Sequence, residues 1–396
     1  MNAQNNTDHI SNEDNALDLN LKKIHLYIAK NNPSELIQFI KDLHNADIAE
    51  IIQNLDDDSR LEFIKRIKEN FDPEILTYLN ESIREEIVEL LDIKQLATNA
   101  SELDVDDAVD VIEDLEESDQ EAFLDNLPES ERKLIEEGLN YPEDSAGRLM
   151  QRKFVSVSDE WNVGEAIDFL RTNTKELPED FYEIYLTSND NKISGIVPLG
   201  RLMSSNRIIK LENIKHKIIR TVNVFTDQEE VAYQFNKYAM VSAPVVNEDN
   251  VIIGSVTVDD VVDVIEEERE EDILKLGGVG QADIYDAVID TTKSRFSWLL
   301  VNLLTAVIAS IVIGFFQASI EKVVALAVLM PIVASMGGNA GTQTLTVSVR
   351  ALAMKELTAA NAFKIVTKET FVGGINGFIF ALIIGLLSAY WFEDTL

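Results

Sequence analysis

Three long segments without a charged side chain most constrain what this 396-residue chain can fold into. The segments lie near the carboxyl end, at residues 296–320, 323–349 and 370–392. About 20 apolar residues of helix are enough to cross the hydrocarbon core of a bilayer. Buried helices of a soluble domain are the alternative, but three successive uncharged runs of this length are hard to place in a soluble core. The sequence therefore predicts three transmembrane helices.

Basic residues near these segments predict their orientation, because cytoplasmic loops carry an excess of lysine and arginine. Lys293 and Arg295 precede the first segment, and Lys322 is the one base between the first and the second. Four bases separate the second segment from the third: Arg350, Lys355, Lys364 and Lys368. We therefore expect a multi-pass protein of the cell (plasma) membrane whose amino-terminal soluble domains lie in the cytoplasm.

The composition of the soluble part limits its functions. The chain has 70 acidic and 34 basic side chains, which gives a formal net charge of −36. Nucleic-acid binding needs a basic surface, so we expect no nucleic-acid partner. Cysteine is absent, which excludes thiol nucleophiles and thiolate metal sites. The sequence also lacks the glycine-rich phosphate loops and the hydrolase motifs of common enzyme classes. We therefore do not expect an enzyme.

The amino-terminal part divides into a leader and a helical domain. Residues 1–20 are polar and acidic, which predicts a disordered leader. Residues 21–147 carry apolar side chains at helical spacing and contain an internal repeat at an offset of 60 residues. This pattern predicts an all-α domain of short stacked helices. The sequence YPEDSAG at 141–147 breaks the pattern and marks the end of the domain.

Residues 148–268 contain the same order of elements twice. Strand-like runs at 154–157, 184–186 and 195–197 alternate with a helical stretch and a turn, and the order recurs from residue 221. Gly195 of the first copy matches Gly254 of the second. This tandem strand–helix–strand–strand–helix arrangement resembles a pair of CBS domains, which are small α/β modules. We place them at residues 148–209 and 210–268.

Two clusters of acidic residues are candidates for metal binding. Residues 259–272 contain nine acids and the single base Arg269. Many of these acids lie four residues apart on a predicted helix, where each like-charged pair costs about 0.2–0.5 kcal/mol. A hard divalent cation such as Mg²⁺ or Ca²⁺ would turn this repulsion into attraction. An ordinary solvated helix face is the alternative and the more common explanation. Residues 104–114 raise the same question.

The second uncharged segment contains polar and small residues that fit poorly against lipid. Its sequence from 331 to 344 is PIVASMGGNAGTQT. Amides and hydroxyls need polar partners inside a bilayer, so we favour a polar pore lining. The alternative is a close helix contact through Gly337 and Gly341, and for Gly373 and Gly377 in the third segment such packing is the preferred interpretation. The candidate pore-lining residues are Pro331, Gly337, Gly338, Asn339, Gly341 and Gln343.

The order of these features resembles the MgtE family of magnesium transporters. The resemblance rests on YPEDSAGRLM at 141–150, TVDDVVDVIEEE at 257–268 and PIVASMGGNAGTQ at 331–343. It implies a multidomain membrane protein with a helical superhelix as N domain and α/β tandem CBS domains. A connecting helix at 269–295 and an α-helical transmembrane domain at 296–396 follow.

The resemblance also implies a function, namely a homodimeric Mg²⁺-selective channel that mediates magnesium uptake. In such proteins Mg²⁺ at cytosolic acidic interfaces closes the pore through the connecting helix, and some members bind ATP between the CBS modules. The pore role falls on Asn339 and Gln343. We carry the Mg²⁺-sensing role to Asp260, Asp263, Glu268, Glu271, Asp106, Asp107 and Asp110.

The number of membrane helices departs from this family pattern. Family members have five such helices, and the fifth bears the acid that holds hydrated Mg²⁺ in the pore. Because the sequence shows three, we expect a truncated form rather than a naturally short one. The alternative function is a membrane-tethered CBS module that senses a nucleotide or divalent ions without conducting. Mn²⁺ and Co²⁺ stay open as alternative ions, since oxygen ligands discriminate weakly among them.

Overall fold

The computed structural model describes residues 3–30, 32–100, 103–113, 115, 117–175, 177–178, 180–279 and 288–392. The backbone forms two compact units, Met1–Glu266 and Glu267–Leu396. The first unit contains a helical region followed by two small α/β modules, and the second contains long apolar helices.

The helical region packs short amphipathic helices around one core, which includes Phe63, Ile64 and Phe123. Polar side chains fix where helices begin: Asp56, for example, accepts a hydrogen bond from the backbone N–H of Ser59 at 3.1 Å. Helices of 3-10 type lie at Lys68–Asn70 and Pro73–Tyr78. The α-helices are α1 (Ala3–Lys30), α2 (Pro33–Ile40), α3 (Asn45–Asn54), α4 (Asp57–Ile67), α5 (Glu81–Leu90), α6 (Ile93–Ala100), α7 (Val105–Glu113), α8 (Glu117–Asp125), α9 (Glu129–Leu139) and α10 (Ala146–Leu149).

The predicted disordered leader at 1–20 has no counterpart in the described backbone, because α1 begins at Ala3. The carboxyl-terminal half of α1 is anchored by apolar side chains: Ile24 is buried in the core, and Leu17 and Leu21 pack against it. Once such a nucleus exists, each further residue adds one hydrogen bond, so a helix extends beyond its anchored part. Residues 3–20 are thus helical in the described backbone, where their polar composition predicted disorder.

Each α/β module has a three-stranded sheet in which a parallel pair is followed by an antiparallel pair. The first consists of β1 (Ser156–Ser158), α11 (Val163–Thr172), β2 (Glu183–Thr187), β3 (Ile193–Pro198) and α12 (Leu199–Ser204). The second consists of β4 (Val222–Asn223), α13 (Gln228–Tyr238), β5 (Ser242–Val246), β6 (Ile252–Thr257) and α14 (Val258–Gly277). The predicted strand order is present in both copies, which confirms the tandem repeat.

The two modules contact each other at equivalent positions. The hairpin turns β2–β3 and β5–β6 place Asn191 and Asn250 at φ 57° and 62°, a conformation that asparagine tolerates better than most residues. The next residues, Lys192 and Val251, pair across the modules. The core residues do not follow the predicted boundaries: Met150 lies in the core of the second module and Leu211 in that of the first. Each module thus contributes chain to its neighbour, which a linear division of the sequence cannot show.

The predicted connecting helix at 269–295 is not continuous. Helix α14 crosses residue 269 without a break and ends at Gly277, and Gly278 has a φ of 65°. The N–H groups of Gly278 and Val279 donate to the carbonyls of Lys275 and Leu274, at 3.1 and 3.0 Å. This is the Schellman geometry that ends helices. The rest of the predicted helix, residues 280–287, lies outside the described residues.

The second unit contains the predicted membrane helices. These are α15 (Val288–Phe315), α17 (Val324–Ala353) and α18 (Ala362–Phe392), with the short α16 (Gln317–Lys322) between the first two. By length and hydropathy, Thr291–Phe315, Ala325–Ala353 and Ala362–Trp391 can each cross a membrane. The first candidate span ends earlier than the predicted residue 320, and the third begins earlier than residue 370.

Small-residue packing is not observed between the described helices. A Cβ atom built on Gly337, Gly341, Gly373 or Gly377 meets no atom within 4 Å. Within the described residues no atom packs on Gly373 or Gly377, so the helix packing preferred for them stays a prediction. The glycines leave these helix faces open, because they present backbone rather than side chains to their surroundings.

Candidate functional site

Acidic side chains from two domains meet within the first unit. Asp106 and Asp107 lie in the first turn of α7, and Asp260 and Asp263 lie in the first two turns of α14. Val109 and Ile112 bury one face of α7, and Val261 and Val264 bury one face of α14. The helical periodicity of these apolar residues turns the neighbouring acids toward the junction of the helical region with the second α/β module.

Asp106 is the most deeply placed acid of this cluster. Its side chain is buried, with 8 % exposure, and its Oδ1 has no hydrogen-bond partner among the described residues. Burial raises the pKa of this carboxyl well above its ordinary value, and the charges of Asp260, Asp107 and Asp104 add to the effect. A buried carboxylate oxygen without a donor is costly, so this position favours either a proton or a cation.

Asp107 on α7 and Asp260 on α14 lie on opposite sides of the junction, and the pKa of each is raised. Burial, then the charges of Asp260 and Asp104, raises the pKa of Asp107 to about 7. Burial also raises the pKa of Asp260 to about 6, although the hydroxyl of Thr257 counteracts it by donating to Oδ2 at 2.7 Å. The amide of Gln151 donates to the same oxygen at 3.3 Å. Burial, which removes water from the charged form, is thus the main reason why both carboxyls are hard to ionise, and neighbouring negative charges add to it.

Two residues of the site were missed by the sequence analysis, namely Glu74 and Tyr78 on the 3-10 helix Pro73–Tyr78. The charge of Glu74 contributes to the raised pKa of Asp107, and its carboxylate accepts from the amide of Asn45 at 2.8 Å. Burial, followed by the charges of Glu74, Asp107 and Asp263, raises the pKa of Tyr78. Both residues lie far from α7 in sequence and in no charge run, so no local signal marked them.

The other predicted sensor residues are more peripheral. Asp263 lies near the surface, where partial desolvation of its carboxyl, then the charges of Glu266 and Asp259, raises its pKa. Asp110 is exposed on α7. Glu268 and Glu271 lie further along α14 in the second unit, where Glu271 pairs with Lys275. No three carboxylate or histidine side chains converge tightly enough to hold a metal ion in the described ranges. The cluster is therefore an electrostatic site rather than a preformed coordination shell.

All six predicted pore-lining residues, from Pro331 to Gln343, lie within the continuous helix α17. Asn339 and Gln343 are one turn apart and share a face of this helix. Thr344, the next residue after Gln343 on α17, contacts α18: its hydroxyl donates a hydrogen bond to Glu369 Oε2 at 3.4 Å. Glu369 is the one acid within the three candidate spans, and its side chain is 22 % exposed. Glu369 lies one residue before the third charge-free segment, which begins at residue 370, and was therefore not among the predicted site residues.

A second polar site lies between the two α/β modules. The buried hydroxyl of Tyr185 is 3.1 Å from Ser242 Oγ and 2.6 Å from Ser255 Oγ. Ser242 in turn donates to Glu183 at 2.8 Å, and burial raises the pKa of Glu183. A cleft beside this network is lined by aromatic and polar side chains, which include Lys153, Phe154, Phe181 and Tyr182. The cleft encloses about 20 Å³, which is room for about one water molecule, so it holds no larger ligand without opening.

Three family models match the chain in sequence order. The MgtE intracellular N domain matches residues 43–144, the CBS domain matches 211–267, and the divalent cation transporter model matches 330–396. Together with the three apolar helices, these matches confirm the predicted fold class and the expectation of a membrane protein.

Curated relatives and solved structures agree with the family models. The magnesium transporter MgtE of Bacillus subtilis is 30 % identical over 67 % of this chain, and that of Thermus thermophilus is 34 % identical over 66 %. The chain spans 58 % of the length of each relative. The cytosolic domain of the Mg²⁺ channel MgtE in complex with ATP superposes with a TM-score of 0.56 at 26 % identity, and the match covers 62 % of this chain and 99 % of that one.

The fold of the first unit has a further counterpart. The soluble part of a magnesium transporter matches with a TM-score of 0.55 at 24 % identity, covering 64 % of this chain and 99 % of that one. These matches confirm the resemblance seen in the sequence: the chain belongs to the MgtE family through its N domain, its CBS module and its transporter segment.

Proposed function

We propose that this chain is part of a Mg²⁺-selective, homodimeric channel that mediates magnesium uptake across the plasma membrane and is closed by cytosolic Mg²⁺. The observation that carries the proposal is the junction between α7 and α14. There the buried carboxylate of Asp106 faces Asp260 of the neighbouring domain without a hydrogen-bond donor for Oδ1 among the described residues. The proposal assigns transport and no catalysis.

The acids of this junction suit a hard divalent cation. Mg²⁺ binds oxygen ligands and usually keeps several of its waters, so it does not need a closed shell of protein side chains. Hydrated Mg²⁺ near Asp106, Asp107 and Asp260 would neutralise carboxylate charges whose burial and mutual repulsion destabilise the folded state. We assign supporting roles to Asp263 and Asp110, and to Glu268 and Glu271 further along α14.

Gating then follows from differential binding. Without Mg²⁺ the ionised acids repel each other, and the helical region separates from the second α/β module. With Mg²⁺ the two domains are held together, and this state is the closed one. A ligand shifts such an equilibrium only by the ratio of its affinities for the two states. Because the acids lie on both sides of the junction, the compact state alone offers Mg²⁺ all of them.

The polar face of α17 supports the conduction part of the proposal. Asn339 and Gln343 provide amide oxygens one turn apart, and the glycines on the same helix allow close approach to the backbone. In a pore, such oxygen atoms replace part of the hydration shell of a cation. Pro331 and Gly338 complete the set of residues that we assign to the pore.

Two measurements test the proposal. The full chain in detergent micelles should become more resistant to protease between α9 and β1 when Mg²⁺ rises from micromolar to millimolar, and Asp106→Asn should weaken this response. Liposomes that contain the chain and a Mg²⁺-sensitive dye should report Mg²⁺ influx. Unchanged protease resistance over this range contradicts the sensor, and absence of influx contradicts conduction by this chain.

A second candidate is a membrane-tethered regulatory module that senses a nucleotide without conducting. The cleft between the α/β modules carries the aromatic side chains Phe154 and Tyr182 and the base Lys153, and it would have to open to admit an adenine base and a phosphate group. The relative crystallised with ATP makes ATP the ligand to try first. Calorimetry with ATP in the absence of Mg²⁺, combined with the influx assay, separates the candidates: binding without influx supports the module.

A further inference from the structure

The segment at residues 148–153 fixes basic side chains against acids of the helical region. Arg148 Nη1 lies 2.5 Å from Glu113 Oε2, and Arg152 Nη2 lies 3.5 Å from Glu137 Oε2. The two arginine side chains are 10 % and 9 % exposed. Arg152 also donates to the carbonyl of Ile253 on β6, at 3.4 Å. The segment is therefore held on one side by α7 and α9 and on the other by the second α/β module.

This fixed segment brings Lys153 to the edge of the acidic cluster. Lys153 Nζ lies 3.8 Å from Asp104 Oδ1, and the two side chains are 58 % and 47 % exposed. Exposed ion pairs contribute little to stability, with a median of about 0–1 kcal/mol. The importance of Lys153 therefore lies in its charge near the site rather than in holding the fold.

Asp104 belongs to the same electrostatic cluster as the buried acids. Burial and the charge of Asp260 raise the pKa of Asp107 most, and the charge of Asp104 adds to them. The charge of Asp104 contributes likewise at Asp106. A cation next to Asp104 therefore changes the negative potential that a divalent ion at these acids would experience.

We propose that Lys153 is a built-in counter-cation that lowers the affinity of the cluster Asp104, Asp106, Asp107 and Asp260 for Mg²⁺. Lys153 thereby sets the Mg²⁺ concentration at which the cluster fills. The inference rests on the proposed function, in which this cluster binds Mg²⁺. A single positive charge in a partly solvated position near the site repels a divalent ion strongly enough to change its binding constant about three- to tenfold.

The test uses the full chain in detergent micelles with Mg²⁺ as the titrant. Calorimetry gives the binding midpoint, and protection from protease gives the midpoint of compaction. Lys153→Gln should lower both midpoints about three- to tenfold, and the difference should shrink in concentrated KCl because salt screens exposed charges. Lys153→Arg keeps the charge and should retain the wild-type midpoints.

A charge-matched control separates the local effect from net charge. Lys192→Gln removes one positive charge from an exposed turn of the first α/β module and should leave the midpoints unchanged. Equal midpoints for Lys153→Gln and wild type overturn the inference, and so does a rise, which would show that Lys153 stabilises the compact state. If the wild type itself shows no Mg²⁺ transition, the proposed function fails and the inference falls with it.

Discussion

Replacing Asp107 by asparagine should stabilise the metal-free protein, because the native fold holds this carboxylate where ionisation is unfavourable. Burial, with the charges of Asp260 and Asp104, raises its pKa from 3.8 to about 7. When the folded pKa of an acid exceeds the unfolded one, the folded state binds more protons between the two values, so stability falls as pH rises. For Asp107 this loss runs from about pH 4 to about pH 7 and persists above it.

The size of the effect follows from the shift in pKa. A difference of about three units corresponds to about 4 kcal/mol at a pH above both values. The asparagine amide needs its own hydrogen-bond partners, and an unsatisfied buried group costs about 1–3 kcal/mol. We therefore expect a net gain of about 2 kcal/mol, or about 4–8 °C in the melting temperature of a soluble unit of this size.

Thermal unfolding of residues 1–277, followed by circular dichroism in a chelating buffer near pH 8, measures this gain. Asp249→Asn, on the exposed turn before β6, is the matched control and should leave the melting temperature unchanged. Near pH 5 the loss is only about 1.6 kcal/mol, because the unfolded carboxyl is ionised there while the folded one is still protonated. The cost of the buried amide should offset this loss, so the variant and the wild type should melt at nearly the same temperature. Added Mg²⁺ should stabilise the wild type more than the variant. A variant that melts at or below the wild type near pH 8, with a neutral control, would refute the reasoning.

Three other outcomes probe the rest of the structure. Gly278→Ala should destabilise the end of α14 by at least about 1 kcal/mol, because φ is 65° and the added Cβ meets the Trp298 indole; tryptophan fluorescence during unfolding of the full chain reports this. Tyr185→Phe should cost about 1–3 kcal/mol in chemical denaturation, since it leaves the hydroxyls of Ser242 and Ser255 without their shared partner. Mg²⁺ binding near pH 6 should release protons, because Asp107 and Asp260 have pKa values of about 7 and about 6; calorimetric heats that do not depend on the ionisation enthalpy of the buffer would contradict this.

Local patterns predicted the elements of the fold well. Alternating apolar residues and asparagine turns identified the strands of both α/β modules. Both signals are local, because side chains alternate between the two faces of a strand every two residues and a turn at positive φ involves only a few residues. Charge-free length identified the membrane helices for the same reason. The end of α14 is the exception: the connecting helix at 269–295 follows from the family resemblance, whereas the glycines of GGVG at 277–280 are a local signal that a helix ends.

What the sequence did not reveal depends on contacts between distant segments. Met150 and Leu211 each complete the core of the module on the other side of a predicted boundary. Glu74 reaches the acidic cluster from a 3-10 helix about thirty residues before α7. Glu369 fell outside the predicted third span because that span was defined as a run without charged residues. Its hydrogen-bond partner Thr344 lies on another helix, so the local sequence gives no sign that this acid belongs in the span. In each case the deciding interaction has no signature in the local sequence.

The acidic cluster can be neutralised in three ways, and this has a consequence for control by Mg²⁺. The raised pKa values of Asp106, Asp107 and Asp260 show that protons can neutralise it, Lys153 neutralises its edge, and the proposal adds a divalent cation. Protons and Mg²⁺ compete for the same carboxylates, yet both relieve the same repulsion. Acidification should therefore compact the soluble domains without Mg²⁺ while it weakens Mg²⁺ binding. The largest response to Mg²⁺ is expected above about pH 7, where Asp107 is ionised and only the cation can hold α7 against α14.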